Sequence, residues 1–170
     1  LINSSSTFCR LMRIVLAELP CVKNYVDDII VYTETFEQHL EVLAELFKRL
    51  REAGLTAKPK KMKIGFQKLP FLGHIVGNGT KQPLDNKVDA ILNATPPNTK
   101  KVMRSFLGLI GFYRSFIPNF AAISAPLSDA TKNGRPNKIV WSDTMLTAFN
   151  DLKHLMAKEP ILKLPDFTKI

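Results

Sequence analysis

The residue types in this chain that best suit chemistry are the adjacent acids Asp27 and Asp28, in the tetrapeptide Tyr25-Val26-Asp27-Asp28. Apolar residues flank them on both sides, so the two carboxylates fall on a strand reversal where their oxygens can converge on a hard divalent cation, which prefers such ligands. In nucleotidyl transfer two such cations activate a 3′ hydroxyl and neutralise the leaving pyrophosphate, and the protein's part is to hold them in line. The plain alternative is a turn without chemistry. Asp-Asp is a frequent turn pair, and residue frequencies alone give a Tyr-x-Asp-Asp tetrapeptide in roughly one chain per hundred of this length. The acids therefore need support from what surrounds them.

Bulk properties narrow the classes. Twenty-four Lys and Arg against fifteen Asp and Glu leave a net charge of +9, which favours a polyphosphate partner through counterion release, although a merely soluble basic domain has the same balance. With 170 residues and 45% hydrophobic content the chain can build one or two small domains with a real core, and it is neither disordered nor fibrous in composition. No apolar run approaches the ~20 residues that span a bilayer. Cys9 and Cys21 lack Cys-x-x-Cys spacing or matched histidines and read as reduced core thiols. Zinc spacing, a basic zipper and a helix-turn-helix pair are absent, which disfavours a DNA-binding regulator.

The elements that position the acids follow from hydrophobic spacing. Phe8, Leu11, Met12, Val15, Leu16 and Leu19 recur three and four apart and predict an amphipathic helix over about residues 5–19, ended by Pro20. Residues 21–26 and 29–33 predict a β-hairpin with the acids at its tip. Thr35 with Gln38 forms a capping-box pattern, Phe36, Leu40, Leu43, Phe47 and Leu50 keep a helical period, and Gly54 stops this second long helix. Residues 63–66 and 71–76 are strand candidates separated by Gln67-Lys68, and Gly77-Asn78-Gly79 is a turn. Short helices follow: Asp85 caps residues 87–93, Thr99 caps a run with Val102, Met103, Phe106, Leu107 and Ile110, and Pro118 begins a piece reaching Leu127. After a polar loop at 131–138, Ser142 caps a helix to Pro160, with Trp141 stapled onto Leu146, and residues 161–164 form a strand or tether. The change of texture places a domain boundary near residues 80–85.

Taken in order, these segments resemble the reverse transcriptases of gypsy-type LTR retrotransposons, in one unbroken register from Asn3 to Phe167. Asn3-Ser4-Ser5-Ser6-Thr7-Phe8-Cys9 is similar to the family's Asn-x-Pro-x-Thr-Phe-Gln helix, with Ser5 where proline is usual and Cys9 where glutamine is usual, departures that fit a divergent or decaying copy. Gly54-Leu55-Thr56 with Pro59-Lys60-Lys61, Phe71-Leu72-Gly73-His74, the stretch from Ser105 to Ile117, and Leu164-Pro165-Asp166-Phe167 resemble its later motifs. The implied fold is α+β: a partial right-hand palm (helix, β-hairpin, helix, β-hairpin) over residues 1–80, a small helical thumb over 81–138, and a connection toward an RNase H-like domain over 139–170.

The resemblance also implies roles. Asp27 and Asp28 would be the catalytic, metal-binding acids, Tyr25 would border the nucleotide pocket, and Lys61, with Lys60 second, would lie near the triphosphate and protonate pyrophosphate. Phe71, Leu72, Gly73 and His74 would form the primer-holding hairpin, with Gly73 allowing close approach to the primer and His74 as a positioning residue. Lys100, Lys101, Arg104 and Arg114 would meet phosphates, whereas Phe106, Phe112 and Phe116 repeat at core spacing and read as packing residues, with base stacking as the alternative, and Tyr113 is open. A solvated basic turn remains the alternative for Lys60 and Lys61, and a structural histidine for His74. Implied partners are an RNA/DNA template-primer duplex, deoxynucleoside triphosphates, magnesium (or manganese) and the rest of a Pol polyprotein, with fingers and palm upstream and RNase H and integrase downstream. An intracellular place, cytoplasm or nucleus, goes with them. The family takes a further metal-binding aspartate from a strand upstream of Asn3, which Asp85, Asp89 and Asp129 do not replace. With no initiator Met and an unpaired apolar run at the end, both termini read as cuts, and the isolated chain is expected to show negligible polymerase activity. The rival expectation is a non-catalytic remnant that keeps a basic nucleic-acid surface.

Overall fold

The computed structural model describes residues 3–158 and 162–163. The chain divides into two compact units, Leu1–Gln67 and Lys68–Ile170.

The first unit is built on two helices and a hairpin. Helix α1 (Ser4–Val15) buries Met12, with Phe8, Val15 and Leu16 beside it. It stops four residues short of the expected Leu19 because Glu18 and Cys21 adopt positive φ values of 58° and 60° around Pro20. Its last carbonyls are instead met by Arg49, which donates to the backbone oxygens of Val15 and Ala17 and is itself held by Glu45 (Nε to Oε1 2.8 Å). A cation at a helix C-terminus satisfies orphan acceptors and the helix dipole together.

Strands β1 (Val22–Tyr25) and β2 (Asp28–Val31) pair antiparallel, Val22 opposite Val31 and Tyr25 opposite Asp28. Val22, Ile29 and Val31 join the core with Val42, Leu46 and Leu50 of helix α2 (Phe36–Glu52). Helix α2 starts where expected: the Thr35 hydroxyl accepts from the Gln38 N–H at 3.2 Å. It ends in a Schellman pattern, with the Leu55 N–H on the Leu50 carbonyl (2.8 Å), the Gly54 N–H on Arg51 (3.0 Å) and Gly54 at φ 68°.

In the second unit a four-stranded antiparallel sheet runs in the order β3 (Leu69–Phe71), β4 (His74–Gly77), β5 (Thr80–Pro83), β6 (Leu162–Lys163). Two reversals of two residues each connect the first three strands. Leu72 and Gly73 (φ 46° and 77°) and Asn78 and Gly79 (φ 52° and 66°) have the paired positive φ of type I′ turns. This corrects the expected strands. Residues 63–66 form no strand, since Gly65 at φ 72° breaks the extended run, and residues 71–76 are split by the turn at Leu72 and Gly73.

Helices α3 (Asp85–Leu92), α4 (Lys100–Phe112), α5 (Phe120–Asp129) and α6 (Asp143–Ala157) enclose a core of Ile91, Met103, Ile110, Leu127, Phe149 and Leu152. Thr99 and Ser142 cap α4 and α6 as read from sequence, accepting from Val102 N–H (3.4 Å) and Met145 N–H (3.3 Å). Asp85 does not cap α3. It is the first helical residue, and Leu84 precedes it without a side-chain bond. Helix α5 begins two residues after Pro118, behind Asn119 at φ 54°. Trp141 meets Phe149 edge-on at 5.6 Å and donates Nε1–H to the Pro97 carbonyl at 2.9 Å, while Leu146 stays 42% exposed. Of residues 161–164, expected as a strand, Leu162 and Lys163 pair with β5, and Ile161, Leu164 and the Asp166-Phe167 ending lie outside the described residues. No described helix is long and apolar enough to cross a membrane.

Leu152 is fully buried at the centre of this core. Leu152→Ala is expected to cost about 2–5 kcal/mol of unfolding free energy, read as a lower urea midpoint.

Candidate functional site

Register decides what the acids can do. The reversal between β1 and β2 consists of Val26 and Asp27, so Asp27 is the second turn residue and Asp28 the first residue of β2. Sequence reading put both on the tip; the structure gives one to the turn and one to the strand. Asp28 shares a sheet face with Tyr25, its cross-strand partner, because side chains directly opposite project together. The neighbouring positions Val22, Ile29 and Val31 take the helix-covered face. All four residues of the tetrapeptide are exposed, Tyr25 by 61%.

Val26 stands at φ 55°, a conformation that β-branched residues rarely adopt. Asn24 supports the reversal with Nδ2 on the Val26 carbonyl at 3.4 Å. Neither Asp27 nor Asp28 has a salt bridge or side-chain hydrogen bond among the described residues. No group of three or more His, Cys, Asp or Glu that could hold a metal ion is found among them either. The donor chemistry of the pair fits a hard divalent cation, and this chain's described residues supply two of the oxygen-bearing side chains such an ion needs.

Lys60 and Lys61 lie in the same unit, in a single 3-10 turn (Pro59–Lys61) closed by Lys61 N–H on the Lys58 carbonyl at 3.0 Å. Both are exposed, and neither forms a salt bridge among the described residues.

In the second unit Phe71, Leu72, Gly73 and His74 form the β3–β4 reversal. Leu72 is 39% exposed, whereas His74 is only 8% exposed, packed between Phe112 (ring centroids 5.0 Å), Phe116 (5.8 Å) and Tyr113 (5.4 Å, edge-on). Its Nδ1–H donates to the Leu72 carbonyl at 3.0 Å, which leaves the lone pair on Nε2, buried and without a hydrogen-bond partner among the described residues. Burial holds the imidazole below its usual range, Lys81 adds to this, and the Leu72 bond opposes it. Tyr113, open in the sequence, is 1% exposed and donates its hydroxyl to the Gly73 carbonyl at 2.9 Å. Burial pushes that phenol up, against a backbone bond from Leu84. No local pattern signals a contact between residues forty apart.

The four basic residues of the α4 region separate into two kinds. Lys100 Nζ donates to the Lys132 carbonyl and Arg104 Nη2 to the Thr131 carbonyl, each at 2.7 Å, so both tie down the loop after α5. Lys101 and Arg114 are exposed and make no ion pair among the described residues. Phe106 and Phe116 are buried, as expected for packing, but Phe112 is 54% exposed.

Residues 1–76 match the family described as reverse transcriptase (RNA-dependent DNA polymerase). The chain is 38% identical over 98% of its length to the retrovirus-related Pol polyprotein from transposon 297 of Drosophila melanogaster, and 36% identical, again over 98%, to that from transposon gypsy of the same organism. The chain belongs to the reverse transcriptase family. Its fold agrees with the solved foamy viral protease-reverse transcriptase in complex with double-stranded DNA (TM-score 0.88, 32% identity, 96% of this chain and 29% of that one). The same enzyme in complex with an RNA/DNA hybrid gives a TM-score of 0.86 at 32% identity, over 96% of this chain and 22% of that one. The chain spans 16% and 17% of the two Pol polyproteins.

The buried, neutral His74 has a consequence for stability. Its pKa in the fold is below the 6.5 of the free side chain, so the unfolded chain takes up the proton first. Stability of the second unit is then full above about pH 6.5 and declines as pH falls through the lowered folded value. The thermal midpoint is expected to drop between pH 7.5 and 5, and His74→Phe, which keeps an aromatic ring, to flatten that part of the profile. An unchanged slope in the variant would assign the acid sensitivity elsewhere.

Proposed function

We propose that these residues are the part of an RNA-directed DNA polymerase that carries its paired metal-binding carboxylates, its primer-holding hairpin and helices that grip the template-primer duplex. One observation carries the reading: two adjacent carboxylates, exposed and without a salt-bridging cation among the described residues, one in a two-residue reversal and the next at the start of a strand whose other face packs on the core. Asp27 and Asp28 hold magnesium, or manganese in its place. When bound, the metal activates the primer 3′ hydroxyl and neutralises pyrophosphate. The remaining oxygen ligands would be nucleotide, water and the further aspartate that the family resemblance implies. Tyr25, on the same sheet face as Asp28, borders the deoxynucleoside triphosphate, and Lys61 meets its phosphates. In this reading residues 1–80 are palm, 81–138 thumb, and 139–170 a connection within a Pol polyprotein that also carries RNase H and integrase.

Charge supports a nucleic-acid partner, because residues 68–170 hold fourteen Lys and Arg against seven Asp and Glu. Lys101 and Arg114 serve as phosphate contacts. Lys100 and Arg104, assigned the same role from sequence, keep their charge but reach phosphate only with the N–H donors that the loop carbonyls leave unused. Measured against an RNA/DNA hybrid over a salt series, Lys101→Ala and Arg114→Ala should each reduce the slope of log K on log salt by about 1. Slopes unchanged in both variants would remove these residues from the interface.

The deciding experiment is primer extension. The 170-residue chain alone is expected to bind the hybrid and not extend it. A transposon 297 polymerase carrying these residues in place of its matching stretch is expected to extend, and Asp27→Asn to lower its rate by roughly two orders of magnitude or more with circular dichroism unchanged. A chimera that binds hybrid, folds and never extends a primer would favour the non-catalytic remnant.

A further inference from the structure

In a two-residue reversal the carbonyls of the loop residues lie outside the strand ladder, and here side chains take both. His74 Nδ1–H donates to the Leu72 carbonyl at 3.0 Å, and the Tyr113 hydroxyl donates to the Gly73 carbonyl at 2.9 Å. In a trans peptide the N–H points opposite to the C=O, so drawing the Leu72 carbonyl toward the buried imidazole aims the Gly73 N–H away from it. No backbone acceptor takes the N–H of Leu72 or Gly73 among the described residues. Gly73 is also covered by a ring. A Cβ built there would lie 2.9 Å from Cε1 and Cζ of Phe112, and its φ of 77° is strained for other residues. The turn is thus fixed from within the hairpin by His74 and from the end of α4 by Phe112 and Tyr113, whose rings meet edge-on at 5.0 Å.

We propose that Tyr113 is a positioning residue for the primer strand: by holding the Gly73 carbonyl it locks the Leu72-Gly73 turn to the end of α4 and presents the turn's free amide donors and the Leu72 side chain to the sugar-phosphate of the primer terminus. This rests on the polymerase reading of the β3–β4 hairpin. Tyr113 itself, almost wholly buried, does not touch the nucleic acid. Its hydroxyl acts through the backbone it holds, and its ring through the packing of His74.

The test uses the 170-residue chain with an RNA template and a DNA primer bearing a photoreactive group on its 3′-terminal nucleotide, with crosslinked residues mapped by mass spectrometry. Wild type is expected to crosslink at residues 71–73. Tyr113→Phe keeps the ring and loses the hydroxyl. It is expected to lower the crosslink at the turn roughly three- to tenfold, the equivalent of one net hydrogen bond, with total hybrid affinity near wild type and the thermal midpoint lowered only by the loss of that one bond. Gly73→Ala, which drives a Cβ into Phe112, should give the same loss by the other contact. A merely structural tyrosine would lower the thermal midpoint and leave the crosslink yield at the turn alone. A wild-type crosslink that Tyr113→Phe leaves undiminished overturns the inference and spares the polymerase reading. A wild-type chain that binds hybrid but crosslinks elsewhere overturns the primer role of the hairpin, and one that binds no hybrid overturns the nucleic-acid reading; the inference falls in either case.

Discussion

Two neighbouring carboxylates repel each other, and a fold that keeps both available to an external cation must leave them in solvent while anchoring the backbone that carries them. The β1–β2 hairpin meets this constraint by dividing its two faces. Val22, Ile29 and Val31 are packed against the core with α2, so the strand pair cannot slip by one residue without turning that apolar set outward. The same register sets Asp28 beside Tyr25 on the opposite face and leaves only two residues for the reversal. Two residues suffice only if the first takes positive φ, and Val26 does so despite its branched side chain. Glycine or asparagine would relieve that backbone, so the local conformation is held by the strands and not by the preference of the residue in it.

The second unit solves a different problem with similar means. Its β3–β4 turn has two residues, and side chains beyond the turn fix it. Phe112 covers Gly73, Tyr113 binds its carbonyl, and His74 fills the space between them. A histidine is an unusual filler because one ring nitrogen stays buried without a partner. The cost is tolerable only while the ring is neutral, and it links the packing of this hairpin to proton concentration.

How much of this was legible in the sequence depended on whether local chemistry or tertiary contact decided each element. Helix α2 was read from Thr35 to Gly54 because a hydroxyl cap and a left-handed glycine are local devices. The hairpin around Asp27 and Asp28 was legible from its flanking apolar runs, but the residues forming the reversal were not, since no Asn-Gly or Asp-Gly marks them. The strand pattern after residue 63 misled because alternation says nothing about Gly65 and Gly73 at positive φ, and these two positions separate loop, turn and strand. Tyr113 and Phe112 carried no signal beyond apolar periodicity, their partner Gly73 being distant in sequence.

Helix α4 shows how one periodic pattern can hide three surfaces. Met103, Phe106 and Ile110 form the buried stripe. Lys100 and Arg104, one turn apart, face the loop after α5 and are tied to its carbonyls. The third stripe, Lys101, Ser105, Gly108 and Phe112, is exposed along its whole length and ends where Phe112 covers Gly73. At 1.5 Å per residue it is about 16 Å long, close to the rise of five nucleotides in one strand of a duplex. A strand lying along it would begin at the free ammonium of Lys101 and reach the β3–β4 turn at the other end. On the primer reading proposed above, a terminus held by that turn would leave the preceding nucleotides over the small, uncharged Ser105 and Gly108, with Lys101 at one end of the helix and Arg114 just past the other. On that reading the helix would set how far the duplex extends from the hairpin, attracting it at its two ends, and the turn, with the tyrosine that locks it, would be the point from which the rest of the strand is measured.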